Sequence, residues 1–271
     1  MVGVIDGDGR GSSNMLLEVA RAMRDPDVGA VQSRVRIHNR NRLLAAMQDL
    51  EFGCIVNACQ LLRNSLGSVG LGGNGQFARL SVLNMLGDAP WSACLVEDLE
   101  LGLRMHLAGV RIRYMANTAV TQQGLVDVRR LLRQRTRWAQ GNVQCLRYLP
   151  AILRSPHFSN AGAVEAGYFL LLPYGQLLGV LAWPVAGWYA GVGGWALVAI
   201  LLLGALPAAV WGPVYRRTCE PAAPWWTGVG WGLLHWLYLH LMVLAIPRAF
   251  ARAVFRRTGW AKTRRNAEVV G

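Results

Sequence analysis

The sequence predicts a layered α/β domain followed by helices embedded in a membrane. Three observations support this fold class. Strand-like and helix-like stretches alternate over the first 127 residues, which is typical of a layered α/β domain. Residues 166–215 contain no Asp, Glu, Lys or Arg. Of the 271 residues, 53% are hydrophobic and only 16% are charged, which is a low charged fraction for a soluble protein.

The predicted elements of the domain follow one another in order. "VGVID" begins the chain as a strand, and the polar run 12–14 can cap the helix "MLLEVARAMR". Residues 28–37 mostly alternate between apolar and polar side chains, as a strand does, and residues 42–63 have helical periodicity. "LVEDLELGLRMHLAG" predicts a helix that ends at Gly109, and "VRIRYM" predicts the next strand.

The apolar second half predicts three membrane-embedded segments, near 166–190, 195–214 and 228–247. A membrane span needs about 20 apolar residues. Basic residues precede the first segment, follow the second and follow the third, so three full spans would place one basic group outside, against the positive-inside bias. We therefore expect two spans and a third segment that is interfacial or re-entrant, unless one span is missing from this chain.

The charge distribution favours a membrane protein over a nucleic-acid binder. The net charge is +13, but 12 of the 15 acidic residues lie at or before Asp127, and the arginine-rich blocks 129–154 and 248–265 border apolar runs. Basic residues beside apolar spans mark cytoplasmic flanks, and no nucleic-acid recognition motif is present. Five scattered cysteines without a C-x-x-C pair predict reduced, mostly buried thiols.

Asp6 and Asp8 are the first candidate site residues. Side chains two positions apart on a strand share a face, and two neighbouring carboxylates repel unless a cation lies between them. Mg²⁺ or Mn²⁺ bound this way takes its remaining ligands from water and substrate phosphates. A calcium loop is excluded because Arg10 and Leu17 occupy ligand positions. The alternative interpretation is a solvated turn.

Two further stretches combine glycine or acidic residues. "GLGGNG", residues 70–75, lacks the βαβ context of a dinucleotide site, so it predicts either a loop that approaches a ligand closely or a structural turn. Glu97 and Asp98 lie where a helix begins, where carboxylates favour the helix dipole. A functional carboxylate at that point would be a general base for a hydroxyl.

The arginine-rich stretch 129–142 predicts a helix with Gln134, Arg137 and Trp138 on one face. A guanidinium can hold a departing diphosphate through paired hydrogen bonds, and an indole can stack on a sugar ring. The alternative is an amphipathic helix on anionic lipid, with arginine and tryptophan at the interface. Both interpretations can hold for different faces of one helix.

The order of these motifs resembles the processive family 2 glycosyltransferases, which include cellulose, hyaluronan and poly-N-acetylglucosamine synthases. Asp-x-Asp is followed by Gly-Asn-Gly-Gln-Phe, then Glu-Asp, then Gln-x-x-Arg-Trp before membrane spans. The resemblance implies a GT-A-like (Rossmann-like) catalytic domain on the cytoplasmic face of a multi-pass protein of the cell membrane. It also implies inverting, metal-dependent transfer from a UDP-sugar to a β-linked polysaccharide or a lipid acceptor.

The resemblance implies a role for each matched residue. Asp6 and Asp8 would bind the metal and the nucleotide diphosphate, with Mg²⁺ or Mn²⁺ as cofactor, and Asp98 would be the catalytic base. Gln134 and Arg137 would contact the diphosphate. The acceptor side would be formed by Gly73, Asn74, Phe77, Glu97 and Trp138. "WAKTRR", residues 260–265, resembles the cytoplasmic tails of some relatives.

The sequence departs from the family pattern at its start, because the first strands of the domain are absent. We therefore expect an N-terminally truncated domain at 1–125, interface helices at 126–160, membrane-embedded helices at 161–250 and a basic tail at 251–271. A partner chain could then supply the missing N-terminal half. The alternative to an enzyme is a non-catalytic, split or truncated membrane subunit that keeps the fold without independent activity.

Overall fold

A mixed five-stranded sheet forms the centre of the N-terminal half. The computed structural model describes residues 1–191 and 205–255, together with residues 194, 195, 198 and 202 between them. The strands are β1 Val2–Val4, β2 Arg10–Gly11, β3 Val28–Ile37, β4 Gln76–Ala78 and β5 Arg111–Gln122. Their order across the sheet is β1-β4-β3-β5-β2. β3 and β5 are parallel, whereas β4 lies antiparallel between β1 and β3, and β2 lies antiparallel to β5.

The helices alternate with these strands as the periodicity predicts. They are α1 Met15–Ala22, α2 Leu43–Leu50, α3 Asn57–Leu66, α4 Leu80–Met85, α5 Glu97–Leu107, α6 Val128–Cys145, α7 Leu149–Arg154, α8 Asn160–Tyr189, α9 Leu206–Cys219, α10 Thr227–Val243 and α11 Ala245–Val254. A widened π-helical turn, Glu51–Val56, joins α2 to α3. The predicted helix over 42–63 is therefore continuous but irregular in its middle.

The sheet is covered on both faces, which confirms the layered α/β prediction. One face packs on α1 through Met15 and Val19, which are buried with Val31 and Phe77. The other face packs on α5 through Leu101 and Met105. Because successive strand residues point to opposite faces, the alternation within β3 and β4 supplies both layers at once. The strand predicted at "VGVID" is present as β1, and it pairs with β4 in antiparallel orientation.

A buried carboxylate attaches helix α9 of the second half of the chain to this domain. Asp49 is fully buried and accepts two hydrogen bonds from Arg36, at 2.8 and 2.7 Å, and one from the backbone N–H of Ile37. The hydroxyl of Tyr215, on α9, donates to the same carboxylate at 2.8 Å. A charge that is removed from water needs this number of partners, because desolvation costs several kcal/mol per ion.

Helices α9 and α10 form a tightly packed antiparallel pair. A Cβ atom added to Gly212 or Gly232 would collide with the backbone of the opposite helix. Small residues that let two backbones approach closely are a common contact between helices in membranes. The buried residues of α10 form one stripe along the helix, namely Gly228, Gly232, His235 and Tyr238.

The three predicted membrane segments have different outcomes. The first is covered by the 30-residue helix α8, and the third by α10 and α11. Most of the second lies outside the described residues, which resume in α9. Within the described residues, one helical stretch is long and apolar enough to cross a membrane. It is Thr227–Val254, which is α10 continued by α11. The number of spans therefore stays a prediction, and the tail motif 260–265 lies outside the described residues.

Candidate functional site

Asp6 and Asp8 lie in a turn directly after β1. The strand ends at Val4, and the backbone N–H of Gly9 donates to the carbonyl of Asp6 at 2.7 Å. The prediction that the two carboxylates share a face of a strand is wrong. This hydrogen bond closes a turn, so Asp6 and Asp8 lie outside the strand and its alternation of side chains does not extend to them. Asp6 is exposed, and the Oδ2 atom of the partly buried Asp8 accepts from the backbone N–H of Gln123 at 2.9 Å. The pair is thereby held against the end of β5.

The glycine-rich stretch 70–75 is a loop between α3 and β4, as predicted. The buried side chain of Gln32 on β3 holds it at two points, accepting from the N–H of Gly72 at 2.8 Å and donating to the carbonyl of Asn74 at 2.9 Å. Gly75 has a φ of +78°, a conformation in which a side chain would be strained. The loop is therefore fixed by β3 and shaped by glycine.

Asn74 connects this loop to the aspartate turn. Its Oδ1 atom accepts from the N–H of Asp6 at 3.2 Å, and its Nδ2 atom donates to Gln122 at 2.8 Å. The side chain is buried, with 4% of its surface exposed. These contacts make Asn74 a residue that positions Asp6 relative to the end of β5.

Asp98 lies at the start of α5 and is bound to the same loop. Its Oδ2 atom accepts from the backbone N–H of Gly73 in a short hydrogen bond, and its Oδ1 atom accepts from the N–H of Leu99 at 2.8 Å. Desolvation raises the pKa of Asp98, and the neighbouring charge of Glu97 acts in the same direction, while the backbone donors oppose both. A carboxyl with a raised pKa at a helix start suits a group that accepts a proton.

Helix α6 carries the Gln-x-x-Arg-Trp motif to the start of α5. The helix is capped by Asp127, whose side chain accepts from the N–H of Arg130 at 2.8 Å. A guanidinium nitrogen of Arg137 donates to the carbonyl of Leu95 at 3.4 Å, three residues before Asp98. Trp138 packs against the apolar cluster that contains Val96. The motif and the proposed base therefore meet at the segment that leads into α5.

The environment of Trp138 is aromatic and cationic. The guanidinium of Arg135 lies 4.4 Å from the centre of the indole ring, and the ring of Phe52 meets it edge to face at 6.1 Å. Gln134 is buried one turn before Trp138, with 7% of its surface exposed. Trp138 itself is partly exposed, so part of its surface is available to a ligand.

A strongly basic pocket opens beside Arg137. It is lined by Leu95, Thr136, Gln140 and four arginines, namely Arg133, Arg137, Arg248 and Arg252. The first two arginines come from α6 and the last two from α11. Four guanidinium groups around one pocket create a positive potential that suits phosphate oxygens.

The predicted site residues do not all lie together, and Gln134, Arg137 and Trp138 form a separate set on α6. Asp6, Asp8, Gly73, Asn74 and Asp98 are linked through the glycine-rich loop and the end of β5 by the hydrogen bonds given above. Phe77 lies elsewhere: it is 5% exposed and packs between β3 and α1 in the core, which favours a packing role. Glu97 is partly exposed at the first position of α5, beside the proposed base.

The divalent cation that the sequence predicts at the aspartate turn stays a prediction. Among the described residues there is no group of three or more His, Cys, Asp or Glu side chains that could hold a metal ion alone. Two carboxylates suffice for Mg²⁺ when substrate phosphates and water complete its shell. In that case the solvent-facing Asp6 and the anchored Asp8 would be the residues that hold the ion.

Several residues that build the site were missed by sequence reasoning. Gln32 positions the glycine-rich loop, and Gln122 and Gln123 hold Asn74 and Asp8. The available signals were a glutamine among the apolar residues of β3 and the Gln-Gln-Gly run at the end of β5. Buried polar side chains of this kind need hydrogen-bond partners, so each predicts a structured contact nearby.

The chain is similar in sequence to several known proteins. The sequence profile described as "Glycosyl transferase family group 2" matches residues 1–246. A β-monoglucosyldiacylglycerol synthase from Trichormus variabilis is 34% identical over 151 residues, covering 55% of this chain and 31% of the relative. A protein of the same name from Synechocystis is 29% identical, covering 97% of this chain and 56% of the relative.

A second kind of relative is a poly-β-1,6-N-acetyl-D-glucosamine synthase from Staphylococcus aureus. It is 27% identical over 123 residues, covering 45% of this chain and 30% of the relative. In these three comparisons the match spans about a third to a little over half of the curated relative. The family profile covers most of the chain, and its members carry out glycosyl transfer. The chain therefore belongs to glycosyl transferase family group 2.

Proposed function

We propose that this protein is a membrane-bound inverting glycosyltransferase that moves a sugar from a UDP-sugar to a lipid or to a growing β-linked glycan. The observation that carries the proposal is the position of Asp98. Its carboxylate is bound to the glycine-rich loop, which also holds the turn of Asp6 and Asp8, and it follows the segment contacted by Arg137.

The donor diphosphate is assigned to the side formed by Asp6, Asp8 and α6. A Mg²⁺ or Mn²⁺ ion bound by the two aspartates would neutralise charge on the diphosphate. Arg137 presents a planar guanidinium, which pairs with phosphate oxygens through two hydrogen bonds, and the basic pocket around it attracts anions. Gln134 is one turn away on α6 and belongs to the same side.

The acceptor is assigned to the side formed by Trp138, Glu97 and the glycine-rich loop, which contains Gly73 and Asn74. Asp98 removes the proton from the acceptor hydroxyl as that oxygen attacks the anomeric carbon of the donor. The bond from this carbon to the UDP oxygen breaks, and the electron pair leaves with UDP. Attack from the face opposite the leaving group inverts the anomeric configuration, so an α-linked donor gives a β-linked product.

The relatives suggest two acceptor classes. One is named for synthesis of a glucosyldiacylglycerol and the other for synthesis of a poly-N-acetylglucosamine. The higher identity and longer alignments of the first kind favour a lipid acceptor for this chain. The basic flanks of its apolar helices are consistent with a catalytic face in the cytoplasm.

Incorporation of labelled sugar tests the proposal. Membranes that contain the full chain are supplied with radiolabelled UDP-glucose or UDP-N-acetylglucosamine, and lipid-soluble and insoluble products are counted separately. Asp98→Asn should lose at least about a hundredfold in transfer, because general base catalysis contributes about 10²–10⁴-fold, while UDP binding is retained. Asp27→Asn, at an exposed turn before β3, is the matched control.

Appreciable transfer by the Asp98→Asn variant would reject the assignment of the base. Absence of transfer by the wild-type chain with either donor, while UDP still binds, would favour the alternative of a non-catalytic subunit that keeps the fold.

A further inference from the structure

Trp138 is held on one side by a network that reaches from the domain to the apolar helix α10. Arg135 places its guanidinium over the indole ring at 4.4 Å and over the ring of Phe52 at 5.4 Å. Cation–π contacts of this kind are worth about 0.5–2 kcal/mol, with the larger values at desolvated sites. The orientation of the indole therefore depends on where Arg135 is fixed.

Glu51 and Tyr238 fix Arg135. The carboxylate of Glu51 accepts from two nitrogens of this guanidinium, at 2.8 and 2.5 Å, which is the bidentate geometry that defines both distance and plane. The hydroxyl oxygen of Tyr238 lies 2.8 Å from the same guanidinium and donates to Glu51 at 2.6 Å. All three groups are thus bonded to one another.

The network is shielded from water and crosses three elements. The side chains of Arg135 and Glu51 are 12% and 19% exposed, and Tyr238 is 4% exposed as a residue. Glu51 opens the π-helical turn after α2, Arg135 lies on α6, and Tyr238 lies in the middle of α10. The π-turn also supplies Phe52, whose ring meets Trp138 directly, while Glu51 reaches the indole only through Arg135.

We propose that Glu51, Arg135 and Tyr238 form a positioning triad that sets the orientation of Trp138 for the acceptor and couples it to helix α10. This inference rests on the proposed function, because it takes Trp138 as the acceptor contact. The three residues act through the indole and do not touch the reacting atoms. A shift of α10 would move Tyr238, then the guanidinium, then the ring.

Fluorine NMR of the full chain in detergent tests the positioning without turnover. The protein is labelled with 5-fluorotryptophan, and the resonance that disappears in Trp138→Phe identifies Trp138. Glu51→Gln and Tyr238→Phe should each shift or broaden this resonance while most of the other tryptophan signals stay in place. An unmoved Trp138 resonance in both variants would overturn the proposal. Tyr238→Phe removes one oxygen only, so it remains informative if Glu51→Gln does not fold.

Tyr215→Phe is the matched control. It removes a tyrosine hydroxyl that joins another C-terminal helix to a different buried carboxylate, Asp49. The resonance of Trp138 should stay in place in this variant, although the protein loses stability. An equal shift in Tyr215→Phe and Tyr238→Phe would show a general loosening and would contradict the triad.

Transfer kinetics separate positioning from stability. Tyr238→Phe and Arg135→Lys should raise the KM for the acceptor about tenfold, which corresponds to about 1.4 kcal/mol, with little change in the KM for the UDP-sugar. Arg135→Lys keeps the charge but loses the planar contact with the ring. Unchanged acceptor KM in both variants would refute the triad. A wild-type chain without transfer would refute the proposed function, and the fluorine spectra would still decide the positioning.

Discussion

Two sets of carboxylates in this protein are held in different ways. Asp49 and Glu51, where the domain meets the C-terminal helices, each bind an arginine and a tyrosine hydroxyl. Asp98, in the candidate site, is bound by two backbone N–H groups and lies beside Glu97. A guanidinium pairs with each carboxylate of the first set, whereas desolvation raises the pKa of Asp98. The first arrangement joins elements together, and the second leaves a carboxyl able to take a proton.

The largest expected effect is on the free energy of unfolding, which should respond differently to substitution in the two sets. Asp49→Ala should lower the free energy of unfolding by about 3–5 kcal/mol, because it leaves the partly buried Arg36 and the buried Tyr215 without their shared partner. Asp98→Asn should change it by much less near pH 7, although Asn keeps only one of the two oxygens that accept a backbone N–H. Desolvation makes the ionised Asp98 less favourable in the folded than in the unfolded chain, and the substitution removes that charge. Thermal or denaturant unfolding in detergent measures both.

The comparison fails if Asp98→Asn destabilises the protein as much as Asp49→Ala does. Asp98 would then be a structural cap for the glycine-rich loop, and the loss of transfer in that variant would have a trivial explanation.

The next effect concerns pH. An ordinary aspartate has a pKa of about 3.9, and desolvation raises the pKa of Asp98 above that value. The base must be ionised to accept a proton, so transfer should decline as the pH falls through the raised pKa, while the protein remains folded. The pH profile of kcat/KM, with far-UV circular dichroism at each pH, measures this. A profile that is flat down to the ordinary range would contradict the raised pKa.

A smaller effect is expected at Arg137. Arg137→Lys keeps the charge but loses the planar, two-pronged contact with phosphate. We expect about a tenfold loss of transfer, about 1.4 kcal/mol, with stability nearly unchanged. Arg133→Lys, in the same basic pocket, is the matched variant that tests whether any arginine there suffices. Equal losses in the two variants would assign the diphosphate to the pocket as a whole.

The smallest expected change in the free energy of unfolding is at an exposed ion pair. Arg21 and Glu18 form an ion pair on the surface of α1, with the Arg21 side chain 57% exposed. Arg21→Ala should change the free energy of unfolding by less than about 1 kcal/mol, because solvent screens such pairs. A larger loss would mean that exposed and buried pairs cannot be compared on one scale in this protein.

Local patterns were sufficient for most of the elements and for the family, whereas the roles of the site residues stay predictions. Alternation predicted β3, periodicity predicted α5, and the order of four short motifs indicated the family that the profile match confirms. The same patterns failed at Asp6 and Asp8, because a single hydrogen bond to Gly9 decides between a strand and a turn. They also failed for Phe77, whose burial depends on the packing of α1 across the sheet.

The sequence by itself determined the alternating elements, the uncharged run 166–215 and the residue types able to bind a diphosphate, because these depend on neighbours a few positions apart. Only the tertiary structure decided which residues meet. Gln32 holds the glycine-rich loop from 40 positions away, and Tyr238 reaches Glu51 across 187 positions. Such contacts arise when buried polar groups must find partners, and the partner is chosen by the packing of the whole chain rather than by local spacing.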